Sequence, residues 1–338
     1  MQIKPNFSLK NHNTFGINAK AEHFVAIHTV DELKEALQLP GFSQKFVLGG
    51  GSNMLLKSDL SGLVIHVDLK GIQIAREDED HIWVSAAAGE NWHDFVLHCV
   101  ARGYGGVENM ALIPGNVGTA PVQNIGAYGV ELKDSFESCE VLDRNSLEIK
   151  TLTKQDCKFG YRDSIFKQEN KDRYIITSVL FKLTKRNHKL NTSYGDIQKI
   201  LDERAIKNPS LQDIADAVIH IRQQKLPDPK KIGNSGSFFK NPVVERAVLS
   251  KIQKSHPHVP FYEMGDGLVK IPAGWLIEQA GFKGKRFGNA GVHDRQALVL
   301  VNHGGATGEE IWEVAMHIQE VVKNKFAILI QPEVNIIE

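Results

Sequence analysis

At 338 residues the chain is long enough for two or three domains and a sizeable core. Hydrophobic residues make up 42% and charged residues 24%, and Lys plus Arg and Asp plus Glu both number 40, so the net charge is zero. That balance excludes the broad basic excess of a nucleic-acid-binding surface, though not a local cationic pocket for one anionic ligand. Cys99, Cys139 and Cys157 are odd in number and widely spaced, with no CxxC pair, so neither a disulfide framework nor a metal site is expected. The opening Met-Gln-Ile-Lys-Pro-Asn has no apolar core for a signal peptide. No apolar run approaches the roughly 20 residues that span a bilayer. A cytoplasmic protein that binds neither membrane nor nucleic acid is expected.

The first third alternates short strands and helices. Phe24–Ile27, Phe46–Leu48, Leu63–Val67 and Ile82–Ala87 read as strands. Asp31–Leu39 reads as a helix with acidic residues in its first turn. Asn91 can cap a helix running through Arg102, with Gly103 placed to end it. From Gly103 to Gly129 the chain is rich in Gly, Pro, Asn and Ala and has little periodicity; ordered loops of this length are usually functional. Strands return at Ser138–Asp143, Glu148–Leu152 and Tyr174–Leu183, the last alternating through Ile176, Ser178, Leu180 and Lys182. Ser210–Gln223 reads as a helix, with Ser210 and Asp213 as a capping box and Ile214, Val218 and Ile221 on one face. Two prolines in Lys225–Lys230 mark a boundary. Helices follow at Ala273–Ala280, between Pro272 and Gly281, and at Glu309–Lys323, capped by Thr307 with Glu310. Ala297–Val301 and Ala327–Ile330 read as strands, and Val243–Asp266 carries no motif. The order is α+β rather than a regular βαβ repeat.

Five segments carry candidate chemistry. Leu48-Gly49-Gly50-Gly51-Ser52-Asn53 opens a strand into glycines whose amides can cradle a diphosphate. It lacks the Walker lysine and the third glycine of the dinucleotide fingerprint, so an ordinary glycine turn explains it at least as well. Ile113–Gly129 combines four glycines and two prolines with neutral hydrogen-bonding groups at Asn116, Thr119, Gln123 and Asn124. That lining suits a flavin ring better than a purely structural loop. In Phe159–Phe166, Arg162 offers a planar fork for a carboxylate or phosphate beside Tyr161; a surface ion pair with Asp163 is the plain alternative. In Gly233–Pro242, Ser237 is either a proton donor or a turn serine, and no nucleophile elbow surrounds it. Glu333, in Gln331-Pro-Glu-Val334, reads by itself as a solvated carboxylate.

These segments, in this order, together with Asn13-Thr14-Phe15-Gly16 and Thr192-Ser-Tyr-Gly-Asp196, resemble the UDP-N-acetylenolpyruvoylglucosamine reductase (MurB) family, and within it the type I subgroup with a tyrosine-bearing substrate loop. The resemblance spans almost the whole chain. It implies an FAD-binding fold of the vanillyl-alcohol-oxidase (PCMH) type in two subdomains, 1–70 (with 326–338 returning to it) and 71–225, followed by an α+β substrate-binding domain at 226–325. It implies non-covalent FAD, NADPH as hydride donor, and reduction of the enolpyruvyl double bond of a sugar nucleotide to UDP-N-acetylmuramate, a cell-wall precursor. A monomer is expected. By motif, Arg162, Ser237 and Glu333 would be catalytic, and Tyr161, Tyr194, Lys225, Asn241 and Gln296 would hold the substrate. Gly49, Gly50, Gly51, Ser52, Asn53, Pro114, Gly115, Gly118, Thr119, Gln123, Asn124, Ile125, Gly126, Tyr128 and Arg222 would hold FAD.

The residue types suit that chemistry. Hydride addition to the terminal enolpyruvyl carbon builds negative charge that spreads into the neighbouring carboxylate, where a cationic fork at Arg162 stabilises it. Ser237 would deliver the proton. Glu333 must carry or share a proton to help, which burial favours. Lys225 suits a diphosphate as a point charge. Another flavin oxidoreductase of the same fold needs no serine–glutamate pair, and a non-catalytic flavin-binding module would not be bleached by NADPH.

Overall fold

The computed structural model describes all residues from Met1 to Glu338, and the chain divides into two compact units. The first comprises Met1–Phe7, Glu22–Gly50 and Ser61–Gln223; the second comprises Ser8–Ala21, Gly51–Leu60 and Gln224–Glu338.

The first unit is built on two sheets. One runs in the order Lys4–Ser8, Lys20–Ile27, Leu60–Val67, Lys45–Leu48, with the last pair parallel. Helix Val30–Gln38 starts where the Thr29 side chain accepts from the Glu32 amide, and buries Leu33 and Ala36. Those side chains share a core with Val25, Ile27, Leu63, Ile65 and Val67 of the sheet. The second sheet runs Ile149–Thr153, Phe136–Asp143, Tyr174–Thr184, His81–Ala87, Ile72–Glu77, and its pairs are antiparallel. Its long middle strand buries Ile175, Thr177, Val179, Phe181 and Leu183 and exposes Lys182. Ile176 is buried with Val179, Phe181 and Leu183, so the alternation changes face at Thr177, where the pairing with Phe136–Asp143 is irregular, and the run through Ser178 and Leu180 does not line the core. Helices Trp92–Val100 and Leu211–Lys225 contribute Trp92, Phe95, Ile214, Val218 and Ile221 to this core. Trp92, Phe95 and Phe181 meet with ring centroids 4.7–5.9 Å apart. Each such fully buried side chain stabilises the fold by about 1.5–3 kcal/mol.

The caps of this unit are local chemistry. Asn91 accepts from the Asp94 amide, and Ser210 exchanges bonds with Asp213. The first of these helices ends at Val100 rather than Arg102, because Gly103 (φ +72°) turns left-handed. The Tyr104 amide then bonds back to the Cys99 carbonyl and the Gly103 amide to Val100, satisfying carbonyls the helix leaves open.

In the second unit, Met54–Leu56 pairs in parallel with Asn335–Ile337. A small antiparallel sheet joins Arg286–Phe287, Ala290–Val292 and Leu300–Asn302. Helix Gly308–Phe326 buries Ile311, Ala315, Ile318 and Val322, and its Thr307–Glu310 capping box is present. It runs three residues beyond the expected end at Lys323 and stops where Ala327 turns left-handed (φ +57°). For that reason 327–330 is no ladder strand. Ile328 and Ile330 are still buried, Leu329 is 52% exposed, and the Ile330 carbonyl accepts from the Gln319 side chain. The expected strand at Ala297–Val301 is shifted to Leu300–Asn302, because Leu298 and Val299 bond instead to Phe238 and His293. Helix Ala273–Gln279 starts after Pro272, and Gly281 (φ +84°) follows its end. The motif-free segment folds as helix Arg246–Gln253 and a three-stranded antiparallel sheet of Val243–Glu245, Leu268–Lys270 and Tyr262–Gly265.

Candidate active site

In the first unit, the glycine-rich run after Lys45–Leu48 lies against the loop 115–119. A Cβ on Gly49 would stand 2.4 Å from Thr119 Cγ2, and one on Gly50 would stand 2.9 Å from the Asn116 amide nitrogen. Gly118 is as tight, since its Cβ would lie 2.4 Å from Ala88 Cβ. The loop is laid on the end of strand His81–Ala87 by Gly118 N–H to Ala88 O (2.9 Å) and Val117 N–H to Glu90 O (2.8 Å). Asn116 and Thr119 close a short 3-10 turn as a capping box. Much of the glycine density is thus required for backbone-on-backbone packing. The 103–129 segment contains further 3-10 turns at Glu108–Met110 and Pro121–Gln123, and a tight hairpin of Gly126–Ala127 with Val130–Glu131. Pro114 is exposed, and Gly115 (φ +116°), Gln123 and Tyr128 are part-buried.

The same unit gathers cations at that loop. Arg162, itself left-handed at φ +54°, donates through Nη1 to the Asn124 carbonyl (3.2 Å) and through Nη2 to the Gly126 carbonyl (2.6 Å). Its guanidinium lies 5.6 Å from the ring centroid of Tyr161, which is 46% exposed. Asp163 is held by the Gln168 amide at 3.0 and 3.2 Å. Ser164 pins the turn by donating to Val122 O (2.6 Å). Arg222 donates to Leu112 O (3.3 Å). Burial pushes its pKa below the usual arginine value, Tyr128 opposes that shift, and the neighbouring charge of Arg162 adds to it. A second guanidinium close enough to disfavour the charge on Arg222 makes this a site suited to an anion. Asn124 and Ile125 are buried, and the Asn124 side chain is committed to the protein: Nδ2 donates to Gly160 O and Glu131, and Oδ1 accepts from the Lys133 amide. Tyr194, 53% exposed, sits on a loop beside this segment. A Cβ on Gly129 would stand 3.3 Å from Tyr194 Cβ, and one on Gly195 would stand 3.4 Å from the Tyr128 ring.

The second unit assembles a different set. Segment 237–240 runs between two others: Phe238 N–H bonds to Leu298 O, Glu333 N–H to Phe238 O, and Lys240 N–H to Gln331 O, each at 2.8 Å. Glu333 is thus bonded to Phe238, the residue next to Ser237, and Ser237 and Glu333 are both part-buried. Asn53 is fastened to the same strand, with Nδ2 to Glu333 O (3.4 Å) and its carbonyl accepting twice from Asn335. Gly51 (φ +60°) admits no side chain, since a Cβ would be 2.0 Å from His12 O; Ser52 is part-buried between them. Asn241 Oδ1 caps the Ala273 amide (2.9 Å), and Gln296 Oε1 lies against Gly274, so both amides meet at one helix start. Lys225 is exposed at the end of helix Leu211–Lys225.

Sequence patterns do not point to His93, Leu112 or Ser164. His93 Nδ1 accepts from the Leu112 amide (3.0 Å) while Arg222 takes the Leu112 carbonyl, so the two side chains hold the two peptides that flank one left-handed residue (φ +59°). Only the tertiary contacts give these residues a role. The donor set of the first unit combines glycine-turn amides, neutral side chains at Asn116, Thr119 and Gln123, and an arginine pair. It fits a flat, neutral ring system with an anionic tail.

A family model described as an FAD binding domain matches residues 21–151, and one described as UDP-N-acetylenolpyruvoylglucosamine reductase, C-terminal domain, matches 228–337. The fold and these matches define a flavin-dependent oxidoreductase built on a PCMH-type FAD-binding fold. The UDP-N-acetylenolpyruvoylglucosamine reductase of Flavobacterium johnsoniae is 60% identical over 100% of both chains, and that of Chromobacterium violaceum is 51% identical over 98% of both. The chain belongs to the UDP-N-acetylenolpyruvoylglucosamine reductase family. A crystal structure of the enzyme from Thermus caldophilus, 23% identical and covering 100% of both chains, superposes with a TM-score of 0.70, a likeness of fold.

Proposed function

We propose that the protein reduces the enolpyruvyl double bond of UDP-N-acetylglucosamine enolpyruvate to give UDP-N-acetylmuramate for peptidoglycan synthesis. The observation that carries this reading is the full-length identity of 60% to a reductase of that name. When bound, FAD would supply hydride chemistry, with NADPH as the reductant. The chain's own residues bind, orient and move the proton. Arg162, already oriented by the Asn124 and Gly126 carbonyls, holds the substrate carboxylate and the charge that develops on it. Ser237 delivers the proton to the carbon bearing that carboxylate, and Glu333 supports the transfer; their backbone proximity favours a shared task. Lys225 holds the diphosphate, and Tyr161, Tyr194, Asn241 and Gln296 hold the rest of the sugar nucleotide. Gly49–Asn53, Pro114–Tyr128 and Arg222 hold FAD.

The division at 70 and 225, with 326–338 returning to the first part, belongs to this reading, as do a monomeric state and a cytoplasmic setting without nucleic acid or membrane. No helix is long and apolar enough to cross a membrane. Three buried free thiols and the use of NADPH favour a reducing compartment. The test is anaerobic absorbance: the flavin should bleach with NADPH and recover on addition of UDP-N-acetylglucosamine enolpyruvate. A flavin that bleaches and does not recover refutes the substrate; a protein that takes up no FAD refutes the class.

A further inference from the structure

The loop carrying Tyr194 is exposed at its tip, with Ser193, Tyr194 and Gly195 open to solvent. It is tied to the rest of the first unit at its base, and the tie runs through a side chain outside the proposed site. Asn109 is only 1% exposed. Its Nδ2 donates to two carbonyls at once, Tyr128 O (3.2 Å) and Asn191 O (2.8 Å). Tyr128 closes the cofactor loop and Asn191 opens the Tyr194 loop, so one amide joins the two segments. The Asn191 side chain adds a bond to Gly129 O (3.3 Å), and Gly129 is left-handed (φ +79°), a conformation that disfavours any side chain. Asn109 Oδ1 is buried and accepts no bond from the protein, so the amide's contribution here lies in its two donated bonds.

We propose that Asn109 is a positioning residue that latches the Tyr194 loop onto Tyr128–Gly129, and so sets the affinity for the sugar-nucleotide substrate. This rests on the reading of Tyr194 as a substrate contact.

The experiment uses the full-length holoenzyme with two variants. Asn109→Ser removes the double donor with little added strain; Asn109→Asp keeps the shape and turns an oxygen toward both carbonyls. Substrate affinity is read on the oxidised flavin by absorbance titration with UDP-N-acetylglucosamine enolpyruvate. Trypsin cleavage after Lys189 reads loop docking without any substrate. Losing both bonds should raise the substrate Kd about tenfold. FAD retention and bleaching by NADPH should stay at wild-type levels, and cleavage at Lys189 should quicken. Combining Asn109→Ser with Tyr194→Phe should weaken binding no more than the larger single effect, since both act through one loop. An unchanged Kd in Asn109→Ser, unchanged cleavage at Lys189, or a loss of affinity that tracks loss of FAD would each overturn the latch. If Asn109→Asp does not fold, Asn109→Ser decides the matter. Failure of the underlying reading has a separate signature: the wild-type flavin would not be reoxidised by the substrate at all, and the latch would fall with it.

Discussion

Replacing Arg162 with lysine tests the proposed site at its most constrained point. The guanidinium reaches two carbonyls two residues apart, Asn124 O at 3.2 Å and Gly126 O at 2.6 Å, using a different nitrogen for each. Lysine has one nitrogen, so it cannot keep both anchors and still present a planar pair of donors to a carboxylate. Loss of one charge-assisted bond to a carbonyl is worth about 1.5–3 kcal/mol, which loosens the orientation of the charge. Loss of a preorganised donor where charge develops is worth about 2.7–4 kcal/mol, or roughly 10²–10³ in rate. Only the second term acts on the step in which the substrate takes up hydride. Anaerobic stopped-flow absorbance separates the two half-reactions. Bleaching by NADPH should stay near the wild-type rate while reoxidation by the enolpyruvyl substrate slows by about 10²–10³. Reoxidation at the wild-type rate would refute the role of Arg162. Equal slowing of both half-reactions would refute the reasoning differently, by showing damage to the cofactor loop.

Other perturbations are more local. Ser237→Ala should leave stability within about 0.5 kcal/mol and bleaching intact, because no bond from the hydroxyl holds the fold, while reoxidation slows; normal reoxidation removes Ser237 from the reaction. Gly118→Ala should force the cofactor loop off Ala88, given the 2.4 Å approach, at a cost of about 1–3 kcal/mol; a lower flavin-to-protein absorbance ratio after gel filtration, with a lower Tm, checks it. Burial pushes the His93 pKa below the usual imidazole value of 6.5; Asp94 opposes that shift and Arg222 adds to it. The unfolded chain therefore takes up the proton first as pH falls. The stabilisation is complete above pH 6.5 and declines as pH drops from there through the folded value. His93→Gln, whose amide oxygen can still accept from Leu112, should lose less Tm between neutral and mildly acidic pH than the wild type; parallel pH profiles would contradict the clamp.

The elements read correctly from sequence are those whose signals are local. Asn91, Ser210 with Asp213, and Thr307 with Glu310 announce helix starts because the capping bond closes within three residues. What escaped is set by distant partners. Met54–Leu56 and Asn335–Ile337 are three residues each and become strands only by pairing with one another. Ala327–Ile330 has the alternation of a strand, but its carbonyl goes to Gln319 and its first residue ends a helix. The same contrast holds at the site. Arg162, Ser237 and Glu333 draw notice as special residue types in unusual runs. His93 and Asn109 act through bonds to backbone groups 19 or more residues along the chain, and no spacing encodes that. Asn124 attracts notice as a polar loop residue, yet its side chain is consumed by Gly160, Glu131 and Lys133.

The pairing of Met54–Leu56 with Asn335–Ile337 bears on how the chain is made. On a ribosome, residue 54 emerges 281 residues before residue 335, the difference between the paired positions Met54 and Asn335. At about 5–20 residues per second, that leaves the earlier strand waiting roughly 15–60 s for its neighbour. Ser8–Ala21 and Gly51–Leu60 share the delay, because the rest of their unit is Gln224–Glu338. Throughout that interval Leu55 and Leu56, both buried in the finished protein, have nothing to lie against. The early segments of the second unit are therefore the natural clients of a holding chaperone during synthesis, while most of the first unit can already have folded.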